Sequence, residues 1–256
     1  MSKKKRNLIF VPVGNPIEFH DAYDRENHWR YTKPERNYEV MVAQYGDYEP
    51  DPETYDIYVK FKGPKWMIVK QFLDAFDDIA YDYEYVSFFD DDLITDIQSI
   101  NRSYEIARQN KIKLFQLSTL AGSASAHYIL HQDKTLSYSR TNFIEGMSPT
   151  FHTSLIPILR EFMRRHEVKS GWGFDLILGS ITRQIPAVIH EVSVYHPDKQ
   201  SYYDTSAAQA EMNHILHDVY PKFMKDRWGS PIDTDIDWSG NNIRPIVYEK
   251  VISLKD

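Results

Sequence analysis

Three consecutive carboxylates, Asp90, Asp91 and Asp92, follow directly on the β-rich run Tyr83–Phe89, "YEYVSFF". Neighbouring acids repel one another. Such a triplet therefore belongs on a solvated loop, where its side chains cap the next helix, or around something positive. The second case has a definite chemistry. Mg2+ and Mn2+ take carboxylate oxygens, usually one or two from the protein, and leave their other positions to phosphates and water. An Asp-x-Asp at the end of a strand lets both carboxylates reach one crevice.

A second chemical element is Gly171-Trp172-Gly173-Phe174-Asp175. The glycines allow a tight turn, and the indole offers a flat apolar wall to a sugar ring. Asp175, at the start of a helix, is either a cap or a general base near an acceptor hydroxyl. A third is His196, which closes a strand just before Pro197. It reads as a solvated or structural histidine, or as a nitrogen ligand to the same metal. His214 and His217 share a helix face and read as surface.

These residues need elements to hold them. Apolar runs stopped by turn residues predict strands at Asn7–Val13, Tyr38–Tyr45 and Tyr55–Phe61. Trp66, Val69, Phe72, Leu73, Phe76 and Ile79 then fall on one face of a helix that begins near Pro64 or Lys65. Past the acids, Ile97, Ile100, Tyr104 and Ala107 give a second helical stripe with Asp96 as its cap, and Ile112–Ser118 is the next strand. His127–Ser139 reads as a hairpin turning at Gln132-Asp133-Lys134. Ser154–Arg165 and Phe174–Gln184 read as helices, the first with Pro157 in its opening turn. Ala187–His196 follows as a strand, and Ala207–Tyr220 as a helix capped by Thr205 or Ser206. Beyond Lys222 the pattern dissolves, so 223–256 is expected to be an irregular arm. Alternating strands and helices, without a repeat or a dividing linker, predict one α/β domain. Its sheet would be mostly parallel, with ligands at the carboxyl ends of the strands. The acid triplet lies at such an end.

Composition narrows the function. The 256 residues are 42% hydrophobic, enough for an ordinary core, and the net charge of −7 argues against a nucleic-acid backbone as the main partner. The basic start, "MSKKKR", reads as a frayed tail. Eighteen tyrosines suit stacking on bases and sugars as well as core packing. The lack of cysteine excludes disulfides, zinc thiolates and thiol nucleophiles. No apolar run approaches the ~20 residues of a membrane span and no secretory signal is visible, so a cytoplasmic setting is expected.

Asp-x-Asp after a strand, then Gly-Trp-Gly-x-Asp, then a strand ending in His resembles the order of GT-A-fold glycosyltransferases. More closely, "YEYVSFFDDDL", "TNFIEGMSP" (Thr141–Pro149), "GWGFD" and "VYH" (Val194–His196) resemble the signature blocks of the domain-of-unknown-function 707 family. Those proteins carry Asp-Glu-Asp-Leu after a strand, a Phe-x-Glu-x-Met-x-Pro block and a Gly-Trp-Gly-Leu-Asp block. "VPVG" and "GPKWMIVKQFL" (Gly63–Leu73) also fit, so the likeness runs from Asn7 to Lys222. Asp91 stands where many relatives have Glu, in the variable middle of the motif.

The resemblance implies a GT-A-like domain that moves a sugar from a nucleotide-sugar, a nucleoside diphosphate sugar, to the hydroxyl of a glycan or other acceptor. Mn2+ or Mg2+ would be the cofactor. Asp92 would bind the metal, Asp90 the metal or the ribose, with Asp91 beside them, and His196 would be the third protein contact. Lys65 and Lys70 would meet the diphosphate, while Val11, Gly14, Tyr45 and Asp47 would surround the base. Glu145, Trp172 and Gly173 would line the donor sugar or acceptor, and Glu145 is the reserve for Asp175 as base. Two other classes use similar residues. A metal-dependent phosphohydrolase or nucleotidyltransferase would release phosphate or pyrophosphate. A non-catalytic glycan-binding protein would bind no nucleotide in a metal-dependent way.

Overall fold

Runs of Val, Ile and Phe that are apolar on both faces form the middle of a nine-stranded mixed sheet. In this computed structural model the described residues are 7–125, 127–198, 204–229 and 246–253. The strands are β1 (Asn7–Val13), β2 (Tyr38–Gln44), β3 (Ile57–Lys60), β4 (Tyr85–Phe88), β5 (Leu114–Thr119), β6 (Leu136–Thr141), β7 (Thr150–His152), β8 (Ala187–Val194) and β9 (Val247–Ile252). They lie in the order β3-β2-β1-β4-β7-β5-β8-β6-β9. Pairing is parallel along β3-β2-β1-β4 and between β5 and β8, and antiparallel at β7 and β6. Only β6 and β7 therefore run against the rest.

Every residue of β1 is buried, as expected for a strand covered on both faces. Alternation along it feeds two cores: Leu8 and Phe10 point to one, Ile9, Val11 and Val13 to the other. The first core receives α1 (Lys65–Ala75), the short α2 (Ile79–Asp82), α4 (Ile156–Arg165), α5 (Phe174–Thr182) and the segment from α6 (Thr205–His214) to α7 (Tyr220–Trp228). Its centre is a ring cluster in which Phe10 stacks on Phe72 at 4.3 Å and Phe162 on Phe174 at 5.3 Å. The second core receives α3 (Ile97–Gln109), with Asp96 capping Ser99 N–H at 2.7 Å as its sequence predicts.

Several expectations are corrected. His127–Ser139 is not a hairpin. Tyr128–Leu130 is a single 3-10 turn, His131 bridges Thr119 in parallel, and only β6 continues, pairing with β8 and β9. Local turn residues misled here because the partner strands lie far away in sequence. The cap of α6 is Asp204, whose carboxylate accepts from Ser206 and Ala207 N–H. The helix expected to stop at Tyr220 passes through one wide turn, Ile215–Val219, and continues to Trp228. Of the expected irregular arm, Phe223–Trp228 is thus helical and Val247–Ile252 adds an edge strand. The remainder of the arm between these elements and the basic start lie outside the described residues. Among the described residues no helix is long and apolar enough to cross a membrane.

The sheet is tied to α3 directly beneath the acid triplet. The fully buried Ser87 hydroxyl sits 2.7 Å from both Tyr104 OH and Thr150 Oγ1, joining β4, α3 and β7. Tyr104→Phe removes one member of a buried network and is expected to cost about 1–2 kcal/mol. Urea denaturation with an unchanged m-value checks this; an undiminished midpoint would mean the three hydroxyls are not coupled.

Candidate active site

The chain leaving β4 crosses the carboxyl ends of the sheet and is held by backbone bonds from several sides. Phe89 N–H donates to Phe10 O (3.1 Å), Asp90 N–H to Met147 O (2.9 Å), and Ile94 and Tyr195 exchange a reciprocal pair at 2.9 Å each. Asp92 lies two residues before Ile94, and His196 lies one after Tyr195. That last pair therefore brings the two side chains together, with Asp92 Oδ1 3.5 Å from His196 Nε2. His196 Nδ1 donates to Ala124 O at 3.1 Å, which turns Nε2 toward the acids.

The three carboxylates take different partners, Asp90 and Asp92 toward one crevice and Asp91 away from it. Asp90 Oδ1 is 2.7 Å from Lys65 Nζ, the first residue of α1. The same ammonium donates to Gly146 O (2.7 Å) and Met147 O (3.0 Å), so its three hydrogens are committed. Asp91 turns the other way, and its Oδ2 accepts from Gly14 N–H (2.9 Å) and Asn15 N–H (3.0 Å). Behind it the guanidinium of Arg30, wholly buried and making no hydrogen bond, supplies positive field. Asp92 faces His196. Burial raises the pKa of Asp90 and Asp91 and lowers that of Lys65. Burial also works against the charge on His196, yet the Asp92 carboxylate, with Asp90 behind it, holds the imidazolium up to about 9.

Asp90, Asp92 and His196 each present one ligand atom, all within 4.8 Å of one another, and the three side chains are half-buried. Two carboxylates and one imidazole suit Mn2+ and tolerate Mg2+, and three protein donors leave positions open for substrate oxygens.

A second pair of acids stands across α1. Trp66, one residue past Lys65, is a pillar between two loops. A Cβ on Gly171 would fall 2.3 Å from its Nε1, and one on Gly146 3.6 Å from its ring. Gly171 (φ +84°) and Gly173 (φ +79°) are both left-handed, a conformation that glycine adopts without strain. The turn delivers Asp175 into the first turn of α5, where Asp175 Oδ1 accepts from Leu176 N–H at 2.9 Å. Glu145 arrives next to it on the loop before β7, its own N–H donating to Gln116 Oε1 on β5. Burial first, and then the Glu145 charge, raise the Asp175 pKa to about 8. A carboxyl titrating near neutrality and beside another acid is a candidate proton acceptor.

The other expected residues divide. Tyr45, just past the end of β2, lies against Gly14, so close that a Cβ there would fall 2.4 Å from its ring, and Gly14 in turn bonds Asp91. Trp172 is 39% exposed. Asp47 is exposed on the turn after β2. Val11 is not brought to the crevice, because it sits two residues before the strand end and is fully buried in the second core. Lys70 is not brought there either: its ammonium pairs with Asp74 at 2.6 Å, and Asp74 in turn with Arg164 of α4. Arg30, Trp66 and Gln116 belong to the site without having been singled out. Trp66 was legible only as helix core, and a buried Gln within "LFQLS" was the one available hint for Gln116.

No family model matches the chain, and no curated protein does. Solved structures similar to it include S. aureus TarS 1–349, at 10% identity and a TM-score of 0.47, over 87% of this chain and 73% of that one. The same protein in complex with UDP-GlcNAc gives 11% and 0.47, over 79% and 61%. A197 from STIV gives 14% and 0.41, over 76% and 86%.

Two outcomes follow from the Trp66 pillar and the acid pair. Gly171→Ala forces a Cβ against Trp66 and an alanine into the left-handed region, and should cost about 2–4 kcal/mol in thermal unfolding. Asp175→Asn should stabilise the protein in a pH-dependent way. Between the unfolded pKa of about 3.9 and about 8, the folded Asp175 holds a proton that the unfolded chain lacks, so its contribution falls as pH rises. The Asn variant lacks this loss. Its melting temperature should match wild type near pH 4 and exceed it by several degrees at pH 8; a constant difference would place the titration elsewhere.

Proposed function

We propose that this protein is a metal-dependent glycosyltransferase that moves a sugar from a nucleoside diphosphate sugar to an acceptor hydroxyl. The observation that carries this reading is the juxtaposition, at the carboxyl ends of one sheet, of an Asp-Asp-His cation cluster with a second, separately raised carboxyl. The first suits a diphosphate–metal complex and the second a hydroxyl to be deprotonated. Release of phosphate or pyrophosphate in place of a nucleoside diphosphate would mark a phosphohydrolase or nucleotidyltransferase instead.

When bound, Mn2+ or Mg2+ would neutralise charge developing on the leaving diphosphate, and Asp90, Asp92 and His196 would hold it. The chain's own residues do the rest. Lys65, fixed on Asp90 and the 146–147 carbonyls, keeps that carboxylate oriented toward Asp92. Asp91 shapes the Gly14–Asn15 turn, against which Tyr45 presents an exposed ring for a base. In its ionised form, populated as pH rises toward 8, Asp175 accepts the acceptor hydroxyl's proton as that oxygen bonds to the sugar's anomeric carbon and the bond from that carbon to the diphosphate breaks, the electron pair leaving with the nucleotide. Glu145 raises the proton affinity of Asp175 and so suits it to that transfer.

Thermal shift with UDP, GDP, ADP and their sugars, with and without Mn2+, tests the class. One nucleotide should raise the melting temperature in Mn2+ alone, and Asp92→Asn should abolish that rise while the fold survives. Unchanged nucleotide affinity in Asp92→Asn would remove Asp92 from the metal. With the donor so found, Asp175→Asn should lose about 10²–10⁴-fold in turnover at near-normal donor binding. Turnover within a few-fold of wild type would reduce Asp175 to a helix residue.

A further inference from the structure

Trp172 is turned outward by its two neighbours. Gly171 and Gly173, both left-handed, tuck their backbones against Trp66 and Met212, and the indole between them projects into solvent. The loop is fastened to α6. The Glu211 carboxylate accepts from Lys169 N–H (2.8 Å) and Ser170 N–H (3.0 Å), and a Cβ on Gly173 would lie 2.9 Å from Met212. The indole thereby becomes one wall of an open groove of about 630 Å³, whose other wall is a face running along α6: Thr205, Ser206, Gln209, Ala210 and Asn213.

The lining is chemically narrow. Among the described residues it holds one aromatic face, two hydroxyls and two amides, and no charged side chain. Gln209 Nε2 donates to Asn213 Oδ1 at 3.2 Å, which orients both amides and leaves Gln209 Oε1 and the Asn213 amide hydrogens for a ligand. The volume lies within the roughly 300–1,000 Å³ of ligand sites. Among the described lining residues a nucleoside diphosphate finds no cation, while an uncharged polyol finds a stacking face and both hydrogen-bond polarities. Holding a Trp half-exposed on two left-handed glycines gives up burial that would stabilise the fold, which marks the position for a partner.

We infer that this groove is the acceptor subsite and that the acceptor is a neutral oligosaccharide, its terminal pyranose stacked on Trp172 and its hydroxyls bonded by Gln209 and Asn213. The inference rests on the glycosyltransferase reading above. Asp175, three residues beyond Trp172 on the same anchored turn, is the group that would meet the acceptor hydroxyl.

The test uses the whole protein without nucleotide or metal. Cellotetraose, maltotetraose, chitotetraose and mannotetraose, with a heparin tetrasaccharide as the anionic control, are titrated by saturation-transfer NMR and tryptophan fluorescence. At least one neutral tetrasaccharide should bind, and better than the anionic one. Trp172→Ala should weaken it by about tenfold or more, and Trp172→Phe should retain most of the affinity. Gln209→Ala with Asn213→Ala should weaken it several-fold. No binding of any neutral glycan, preference for heparin, or binding indifferent to Trp172 overturns the inference. Thermal shift by the nucleotide with Mn2+ is read on separate aliquots of the same preparation, so the two ideas fail separately. Glycan binding without any nucleotide response sinks the transferase and leaves a glycan-binding groove. Nucleotide response without glycan binding sinks the groove alone.

Discussion

Three adjacent carboxylates packed into the end of a sheet would repel one another enough to open the loop that carries them, and the structure answers with three different cations. Asp90 is paired to Lys65, Asp91 sits in the field of Arg30 while accepting two backbone hydrogens, and Asp92 faces His196. At Asp90 the Lys65 charge outweighs the repulsion from Asp92, and at Asp91 the Gly14 and Asn15 N–H groups offset the repulsion from its neighbours. The cations come from a helix start, a loop between strands and a strand end. The site therefore exists only when α1, the β1–β2 loop and β8 are all in place.

That dependence gives the local architecture its purpose. Lys65 can reach Asp90 because α1 begins at the carboxyl end of β3, and the Trp66 beside it props apart the two loops that bring Glu145 and Asp175. His196 can reach Asp92 because Ile94 and Tyr195 pair their backbones. The same carboxyl ends hold Gly14 and Tyr45, so a cation cluster, a proton acceptor and a flat ring open on one side of the sheet. Below them, Ser87, Tyr104 and Thr150 lock β4 to the layers around it. Rigid support under a charged rim keeps the donor atoms at fixed separations, which metal and substrate recognition both need.

The two acid sets are charged differently for a physical reason. Burial raises Asp90 and Asp91, but Lys65 opposes that rise at Asp90 and the Gly14 and Asn15 N–H groups oppose it at Asp91. Asp175 has burial and Glu145 beside it and only backbone hydrogens in compensation, so it retains a proton to about pH 8. Carboxyl groups pushed apart in this way are suited to different parts, one set to holding charge and the other to exchanging a proton, as the proposed function requires.

The sequence alone determined most of the framework. Strands β1, β2, β4, β5 and β8 and helices α1, α3, α4 and α5 are short-range patterns, because burial on one or both faces of an element writes a period into its own residues. The acid triplet, the Gly-Trp-Gly turn and His196 were legible as residue types, and their placement at carboxyl ends followed from α/β alternation. Tertiary structure decided the partners. Nothing local shows that Lys65 is spent on Asp90, that Val11 is core, or that Asp91 grips the Gly14 turn. Nor could spacing foretell that β6 would pair with β8 and β9 rather than fold into a hairpin, or that Glu145 would meet Asp175. Those are contacts between residues from about 30 to more than 100 positions apart, and the charge and hydrogen-bond state of a side chain is set by whichever distant group the fold brings within a few ångströms.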